Sequence, residues 1–434
     1  MLIPLMIEQV LTSLMGTADT MMVSNISSAA ISAVSLVDAI NVLIIYIFSA
    51  MATGGSIICA QYLGRKDRDA ANETGKQLIL SVSFISIVVT LTCVLLRRQL
   101  LHLIFGRVEA DVMENAIIYF LITALSYPFI ALYNAGAALF RVDGNSRLPM
   151  TVSTLCNLVN IAGNAILIFC FHMGVAGAAL ATLVSRILCA VIVLYCLHNP
   201  QHTISVQNYR KIRPDAALIR RILAVGIPTG IENGMFQFGK LAVQSTVSTL
   251  GTTAIAAQAM TAVLELLASN PQLGIGLGMM TIVGQLIGAG QLEEARRNIK
   301  RLTGYAEVTT ILCCLIIALA IKPVTVLGGM ETDAAALAIH LIHVIALFKP
   351  LTWTLSFLPA YGMRAAGDVR YSMVVSSLSM WICRVGVAAV LVRVFHFGVI
   401  AVWIGMFTDW SVRAIFFTVR FLNGKWAKHS VLES

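Results

Sequence analysis

Long apolar runs separated by short polar segments follow one another along almost the whole chain. Each run is close to the roughly 20 residues that an α-helix needs to cross a bilayer. Apolar and polar residues do not alternate within the runs, as they would in membrane β-barrel strands. The pattern therefore predicts an all-α polytopic membrane protein with about twelve transmembrane helices. These lie near 2–24, 32–60, 76–96, 112–140, 148–171, 175–197, 222–249, 254–284, 302–321, 334–362, 371–393 and 398–420.

The composition agrees with a protein whose surroundings are mostly lipid. Of the 434 residues, 58% are hydrophobic and only 12% are charged, against about 25% charged residues in soluble domains. The mean hydropathy is +0.85. These values exclude an ordinary soluble protein and favour a multi-pass membrane protein with the lipid bilayer as its main partner.

The net charge of +9 arises from basic residues in alternate loops. If the N-terminus is inside, the inner loops carry 20 Lys and Arg residues and the outer loops carry 5. Because cytoplasmic loops are enriched in positive charge, both termini are predicted to be cytoplasmic, in the cytoplasmic (inner) membrane. This topology accounts for the basic residues, and no nucleic-acid partner is predicted.

The two halves of the chain resemble each other at a nearly constant spacing of 222–224 residues. An even number of spans in each copy gives both copies the same orientation, so two six-helix lobes related by a pseudo-twofold axis along the membrane normal are predicted. Such parallel repeats, with a cleft between them, are typical of transporters that work by rocking. The matching segments are Ile3–Glu8 with Ile227–Glu232, Gln61–Gly64 with Gln285–Gly288, Ala124–Pro128 with Ala346–Pro350, and Arg141–Gly144 with Arg364–Gly367. The predicted divisions are an N-lobe at 1–197, a cytoplasmic interlobe loop at 198–221 and a C-lobe at 222–434.

Polar side chains of three predicted helices reach a similar depth in the outer half of the membrane. Asp19 lies 15 residues beyond Pro4, about 22 Å along its helix. Asn160 and Asn164 share one face of the fifth span, and Thr182 lies about 10 Å below the outer surface in the sixth. Carboxylate, amide and hydroxyl oxygens suit a hard cation, and an isolated carboxylate at this depth can also carry a proton. The alternative is a polar network that only ties helices together.

Other charges inside the predicted spans have less defined roles. Four carboxylates are interpreted as possible groups of a substrate cavity: Asp38, Glu232, Glu265 and Glu8. Because intramembrane charges are costly and are usually paired, Lys240 is expected to pair with a carboxylate. Arg186 with Asp38 and Arg413 with Asp409 are interpreted mainly as structural pairs.

No catalytic or nucleotide-binding motif is found in the sequence. It contains no His-Glu-x-x-His, no Gly-x-Ser-x-Gly and no phosphate-binding loop, and the cysteines lack metal-site spacing. A non-enzymatic transporter without a cofactor is therefore favoured. In the absence of a nucleotide-binding loop, transport has to be driven by an ion gradient or by another chain, and no obligate protein partner is evident.

Several segments, in this order and at these spacings, resemble the multidrug and toxic compound extrusion (MATE) family. The resemblance extends over essentially the whole chain and is to its DinF-like and NorM-like bacterial members. It rests on Pro4 followed by Met15–Thr20, Ala60–Gly64, Asn160–Asn164, Gly177–Thr182 and Val283–Gly290.

The resemblance implies a twelve-helix, two-lobe fold and export of amphipathic, usually cationic compounds in exchange for Na⁺ or H⁺. By position, Asp19, Asn160, Asn164 and Thr182 match the family's N-lobe cation site. Two positions depart from the family pattern. Phe236 stands where a glutamate is common in the seventh helix, and no aspartate is present around Thr352 and Trp353 in the tenth. A cation site in the N-lobe is therefore expected, as in the DinF-like pattern.

The resulting hypothesis is a secondary antiporter that exports drugs or toxic metabolites, with Asp19 alternating between the coupling ion and a drug-competent state. A lipid-linked oligosaccharide flippase of the same superfamily is an alternative, but extra spans and a strongly basic cavity would be expected. A more remote alternative is an intramembrane enzyme, which would need a closed metal or nucleophile site.

Overall fold

The fold of the protein is known from a computed structural model. It describes residues 1–23, 26–106, 108–207, 209, 213–428 and 432, with the backbone alone at 15, 17–20 and 428. The described residues form fifteen α-helices. They are α1 (Leu2–Val23), α2 (Ser28–Gly64), α3 (Arg68–Leu95), α4 (Arg97–Phe105), α5 (Ala110–Leu125), α6 (Tyr127–Val142), α7 (Arg147–Asn164), α8 (Gly174–Leu197), α9 (Ala216–Ser248), α10 (Thr252–Gly288), α11 (Leu292–Leu327), α12 (Thr332–Ala365), α13 (Val369–Ser379), α14 (Val387–Arg393) and α15 (Ile400–Leu422).

The predicted polytopic helical architecture is confirmed. Among the described residues, nine helical segments are long and apolar enough to cross a membrane, and the bent pair α5–α6 makes a tenth. The two remaining predicted spans correspond to α1 and α9, which have 22 and 33 residues and are long enough at 1.5 Å per residue.

The fourth predicted span, 112–140, is broken into α5 and α6, which meet at an angle of 43°. Pro128 explains the break, because proline lacks an N–H and clashes with the carbonyl four residues earlier. That carbonyl belongs to Ala124, and the hydroxyl of Thr90 on α3 donates a hydrogen bond to it at 3.2 Å. The neighbouring helix thus satisfies the backbone group that the proline leaves open.

Two spans contain a π-helical turn. Ala165–Cys170 continues α7 directly after Asn164, and Met380–Gly386 joins α13 to α14 directly after Ser379. A π-turn widens the helix locally and is frequent at functional sites. Both turns therefore follow a buried polar residue inside a membrane span.

The chain divides into two compact units, and the division falls within α9. The N-terminal unit comprises Met1 and Ile3–Gly230, and the C-terminal unit comprises Leu2 and Ile231–Ser434. In the N-terminal unit α2 packs against α3, α5 and α6. In the C-terminal unit α12 packs against α10, α11 and α15. Each unit thus has one long helix that contacts at least three neighbours.

The polar connection after α8 is folded onto the N-terminal unit. The buried amide of Gln77 donates to the carbonyl of Arg213 (2.7 Å) and accepts from the N–H of Asp215 (3.0 Å). The Tyr209 hydroxyl donates to the carbonyl of Leu194 at 2.9 Å. Burial raises the pKa of Tyr209 to about 12, so the hydroxyl keeps its proton for this bond at neutral pH.

Candidate functional site

A polar cavity of about 240 Å³ lies within the N-terminal unit. Residues of α1, α2, α5, α7 and α8 line it, so five helices contribute to one space. Gly16, three residues before Asp19, and Val23, four residues after it, form the part of the wall that belongs to α1. The side chain of Asp19 itself lies outside the described residues. The polar side chains in the wall are Asp38, Asn41, Tyr119, Asn164, Thr182 and Arg186.

Three of the four residues predicted for the cation site lie together. The Asn160 amide donates to the Thr182 hydroxyl at 3.2 Å, and the Asn164 amide lies 3.5 Å from the Asn160 carbonyl oxygen. The Thr182 hydroxyl in turn donates to the carbonyl of Ala178 at 3.0 Å. Helical spacing on α7 and a side-by-side contact of α7 with α8 produce this arrangement. It gathers amide and hydroxyl oxygens of two helices at one edge of the cavity.

Asp38 enters the same cavity from α2. One of its carboxylate oxygens accepts hydrogen bonds from the Asn41 amide (3.1 Å) and the Tyr119 hydroxyl (3.3 Å). The expected direct ion pair with Arg186 is not formed, because the guanidinium donates instead to the Ser126 hydroxyl at 2.7 Å. The two charges interact only at longer range. Asp38 is therefore a cavity carboxylate whose hydrogen bonds come from neutral donors.

The sequence interpretation missed the aromatic part of this network. The Tyr127 hydroxyl donates to the Asn41 carbonyl oxygen at 2.7 Å and thereby orients the amide toward Asp38. Tyr119 and Tyr127 flank the break between α5 and α6. Because Tyr119 and Tyr127 do not follow a helical periodicity, the sequence does not indicate that they belong to this hydrogen-bond network. The Ser-Tyr-Pro triplet at 126–128 marks only the position of the break.

Glu8 and Glu232 form equivalent ion pairs in the two repeats. Arg141 donates to Glu8 at 2.6 Å, and Arg364 donates to Glu232 at 2.5 Å. The repeat spacing matches Glu8 to Glu232 and Arg141 to Arg364, so the two ion pairs occupy equivalent positions in the two repeats. The Ser372 hydroxyl also donates to Glu232 (3.3 Å). Both carboxylates therefore form ion pairs between the first and fourth spans of each repeat, and their possible role in a substrate cavity stays a prediction.

Replacing Glu232 with glutamine is expected to destabilise the protein by about 2–3 kcal/mol, because the Arg364 guanidinium loses a charged hydrogen-bond partner while half-buried. Replacing Arg364 with glutamine as well should restore part of this loss. Thermal unfolding in detergent measures both effects, with Glu8→Gln as the matched variant in the other repeat. Loss of efflux without any loss of stability would contradict a structural role for Glu232.

Glu265 forms an ion pair with a lysine of the same unit. The Lys349 ammonium, which is fully buried, donates to the Glu265 carboxylate (2.8 Å), to its carbonyl (3.2 Å) and to the Ser269 hydroxyl (2.5 Å). A tethered ammonium thus takes the place that a free cation would need. The interpretation of Glu265 as a possible carboxylate of a substrate cavity stays a prediction, now for a carboxylate that is paired with Lys349.

The predicted Arg413–Asp409 pair is present at 2.7 Å, and the structure adds a second arginine to it. Arg384 donates to the other oxygen of Asp409 at 2.8 Å, and the Ser379 hydroxyl donates at 2.6 Å. Lys240 makes no direct ion pair within the described part of the chain: its ammonium lies over the Phe236 ring, 5.0 Å from the centroid, and the charge of Glu265 attracts it only at longer range. Arg384 was missed because pairing between distant helices has no spacing rule.

Comparison with known proteins gives a consistent result. The MatE family model matches residues 4–166 and again 228–390, so the same model matches twice at the spacing of the internal repeat. A probable multidrug resistance protein NorM of Thermotoga maritima is 28% identical over 99% of this chain and 92% of its own length. The uncharacterized transporter YisQ of Bacillus subtilis is 26% identical over 98% and 93%.

The fold is also that of solved structures. A solved structure of a multidrug resistance MATE family transporter of the MOP superfamily in an outward-facing conformation matches with a TM-score of 0.91 at 22% identity, covering 100% of this chain and 95% of that one. A crystal structure of a MATE protein in complex with MaL6 gives the same TM-score and identity, with 96% of that chain covered.

Proposed function

The chain belongs to the MatE family of multidrug efflux transporters, which are multi-pass membrane proteins and not enzymes, and from this membership we propose that it is a secondary active antiporter. It exports amphipathic, cationic drugs or toxic metabolites in exchange for Na⁺ or H⁺. The charge of its loops supports cytoplasmic termini in the inner membrane. The two sequence halves support an N-lobe and a C-lobe that rock between inward- and outward-open states.

The observation that carries the proposal is the cavity of the N-terminal unit. Asp38, Asn164 and Thr182 line one space of about 240 Å³ with Gly16 and Val23 of α1, which lie on either side of Asp19 in the sequence. Carboxylate, amide and hydroxyl oxygens are ligands of hard cations. By position in the family, Asp19 would complete this set together with Asn160.

Exchange follows from the chemistry of a carboxylate inside the membrane. Such a group is costly when it is charged and alone, so a proton, Na⁺ or the cationic group of a substrate stabilises it, and each excludes the others. A bound ligand shifts the conformational equilibrium only through a difference in affinity between the two states. Alternating occupancy of Asp19 by coupling ion and substrate supplies such a difference.

The test uses the full chain in proteoliposomes loaded with the fluorescent organic cation ethidium. A Na⁺ gradient and a pH gradient are imposed separately, and efflux is followed by fluorescence. Efflux above that of protein-free liposomes is expected with at least one gradient, and an ionophore that dissipates that gradient should abolish it. Equal efflux with and without either gradient would overturn antiport.

A further inference from the structure

A cluster of side chains on the membrane spans of the C-terminal unit carries more positive than negative charge. Arg384 and Arg413 share the single carboxylate of Asp409. Lys349 is paired with Glu265, while Lys240 has the Phe236 ring as its contact. Four cations thus face two carboxylates in this cluster of described residues. Unbalanced charge inside a membrane protein costs several kcal/mol or more, so an excess of this kind calls for an anion.

The Phe236 ring lies at the centre of the cations that outnumber the carboxylates in this cluster. Its ring centroid lies 5.0 Å from the Lys240 ammonium, 5.2 Å from the Arg384 guanidinium carbon and 5.7 Å from that of Arg413. A cation over an aromatic ring gains only about 0.5–2 kcal/mol, and three cations around one ring repel one another. The aromatic contacts therefore offset only part of the repulsion between the three cations.

Accessibility divides the cluster into a buried part and a reachable part. Asp409, Arg384 and Arg413 are 0%, 4% and 2% exposed. Lys240 is exposed, and Phe236 is half-buried. A ligand would therefore meet the Lys240 ammonium and the Phe236 ring, while the two arginines act behind them through their positive field. Lys240 and Phe236 are four residues apart on α9 and so lie on one helix face.

An aromatic surface continues from the cations. The Phe357 ring lies 5.4 Å from the Arg413 guanidinium carbon, and Trp353 packs against Phe357 with the ring centroids 4.9 Å apart. A flat apolar ring of a ligand can stack on such side chains. Positive charge beside aromatic surface is the complement of an aromatic acid.

We propose that Lys240, Phe236 and Phe357, backed by Arg384 and Arg413, form a binding site for the carboxylate end of an aromatic, amphipathic compound. The inference rests on the proposed efflux function and adds to its cationic substrates a second class held at a separate site: aromatic acids and zwitterions, whose carboxylate accepts a hydrogen bond from the Lys240 ammonium. Compounds with only a cationic group are not held by this site.

Three fluorescent probes with the same ring test the site: 1-pyrenecarboxylate, 1-pyrenemethanol and 1-pyrenemethylamine. Binding to the purified full chain in detergent is measured by fluorescence anisotropy. The carboxylate is expected to bind most tightly. Replacing Lys240 with methionine should weaken its binding roughly tenfold or more, the worth of a charged hydrogen bond, and leave the binding of the neutral alcohol unchanged.

Two further variants control the result. Lys240→Arg keeps a permanent positive charge and should retain carboxylate binding, whereas Lys322→Met, which removes an exposed lysine at the end of α11, should have no effect. Equal binding of the three probes, or carboxylate binding that survives Lys240→Met, would overturn the site. Gradient-driven ethidium efflux is measured on the same preparations. A failure of antiport therefore shows as lost efflux with intact pyrenecarboxylate binding, and a failure of this site as the reverse.

Discussion

Replacing Asp19 with asparagine is expected to abolish gradient-coupled efflux while the protein remains folded in the membrane. Asparagine has nearly the same size but cannot exchange one cation for another. A coupling free energy of about 1–3 kcal/mol corresponds to a factor of roughly 5–150, so ethidium efflux should fall by about that factor, to the passive leak. Membrane insertion and thermal stability should stay close to those of the unsubstituted protein, because a neutral amide is less costly inside the membrane than a charged carboxylate.

Ethidium efflux is measured in proteoliposomes under the ion gradient that drives transport by the unsubstituted protein. Two other variants serve as comparisons. Asp38→Asn should reduce efflux to an intermediate level, because Asp38 lines the cavity of the N-terminal unit but is already hydrogen-bonded by Asn41 and Tyr119. Asp111→Asn removes an exposed carboxylate at the start of α5 and should leave efflux unchanged. Full coupled efflux from the Asp19 variant would refute the proposed exchange mechanism.

The sequence predicted the spans well because hydropathy depends on composition, and composition is local. It did not predict that 112–140 would bend at Ser126. A proline near the middle of an apolar run is compatible with a straight, a kinked or a broken helix. The outcome depends on whether another helix can satisfy the freed carbonyl, and here Thr90 does so for Ala124. The partner lies 34 residues away, beyond any local pattern.

The grouping of Asn160, Asn164 and Thr182 could also be predicted, because depth along a membrane helix follows directly from residue count. The ion-pair partners of the charged residues could not be predicted. The sequence identifies Glu8, Glu232 and Glu265 as intramembrane acids, yet each finds its cation on a helix more than 80 residues away. The repeat matched Arg141 to Arg364 as well as Glu8 to Glu232, but only the three-dimensional structure shows that the matched residues are partners.

Replacing Asp409 with asparagine is expected to give the largest loss of stability in the C-terminal unit. Asp409 is fully buried and accepts hydrogen bonds from Arg384, Arg413 and Ser379. Without its charge, two buried guanidinium groups lose their only ion-pair partner among the described residues. Removing one member of a buried pair costs about 3–5 kcal/mol, and at about 2–4 °C per kcal/mol the thermal transition in detergent should fall by roughly 10 °C.

The surface pair of Arg297 and Glu294, with side chains 67% and 47% exposed, provides the control. Glu294→Gln should change stability by less than about 1 kcal/mol, since water screens exposed pairs. A second comparison separates charge from packing: Asp409→Asn combined with Arg384→Met removes one of the two stranded guanidinium groups and should recover part of the lost stability. If the double variant is less stable than the single one, packing by the Arg384 side chain, and not the uncompensated charge, dominates at this position.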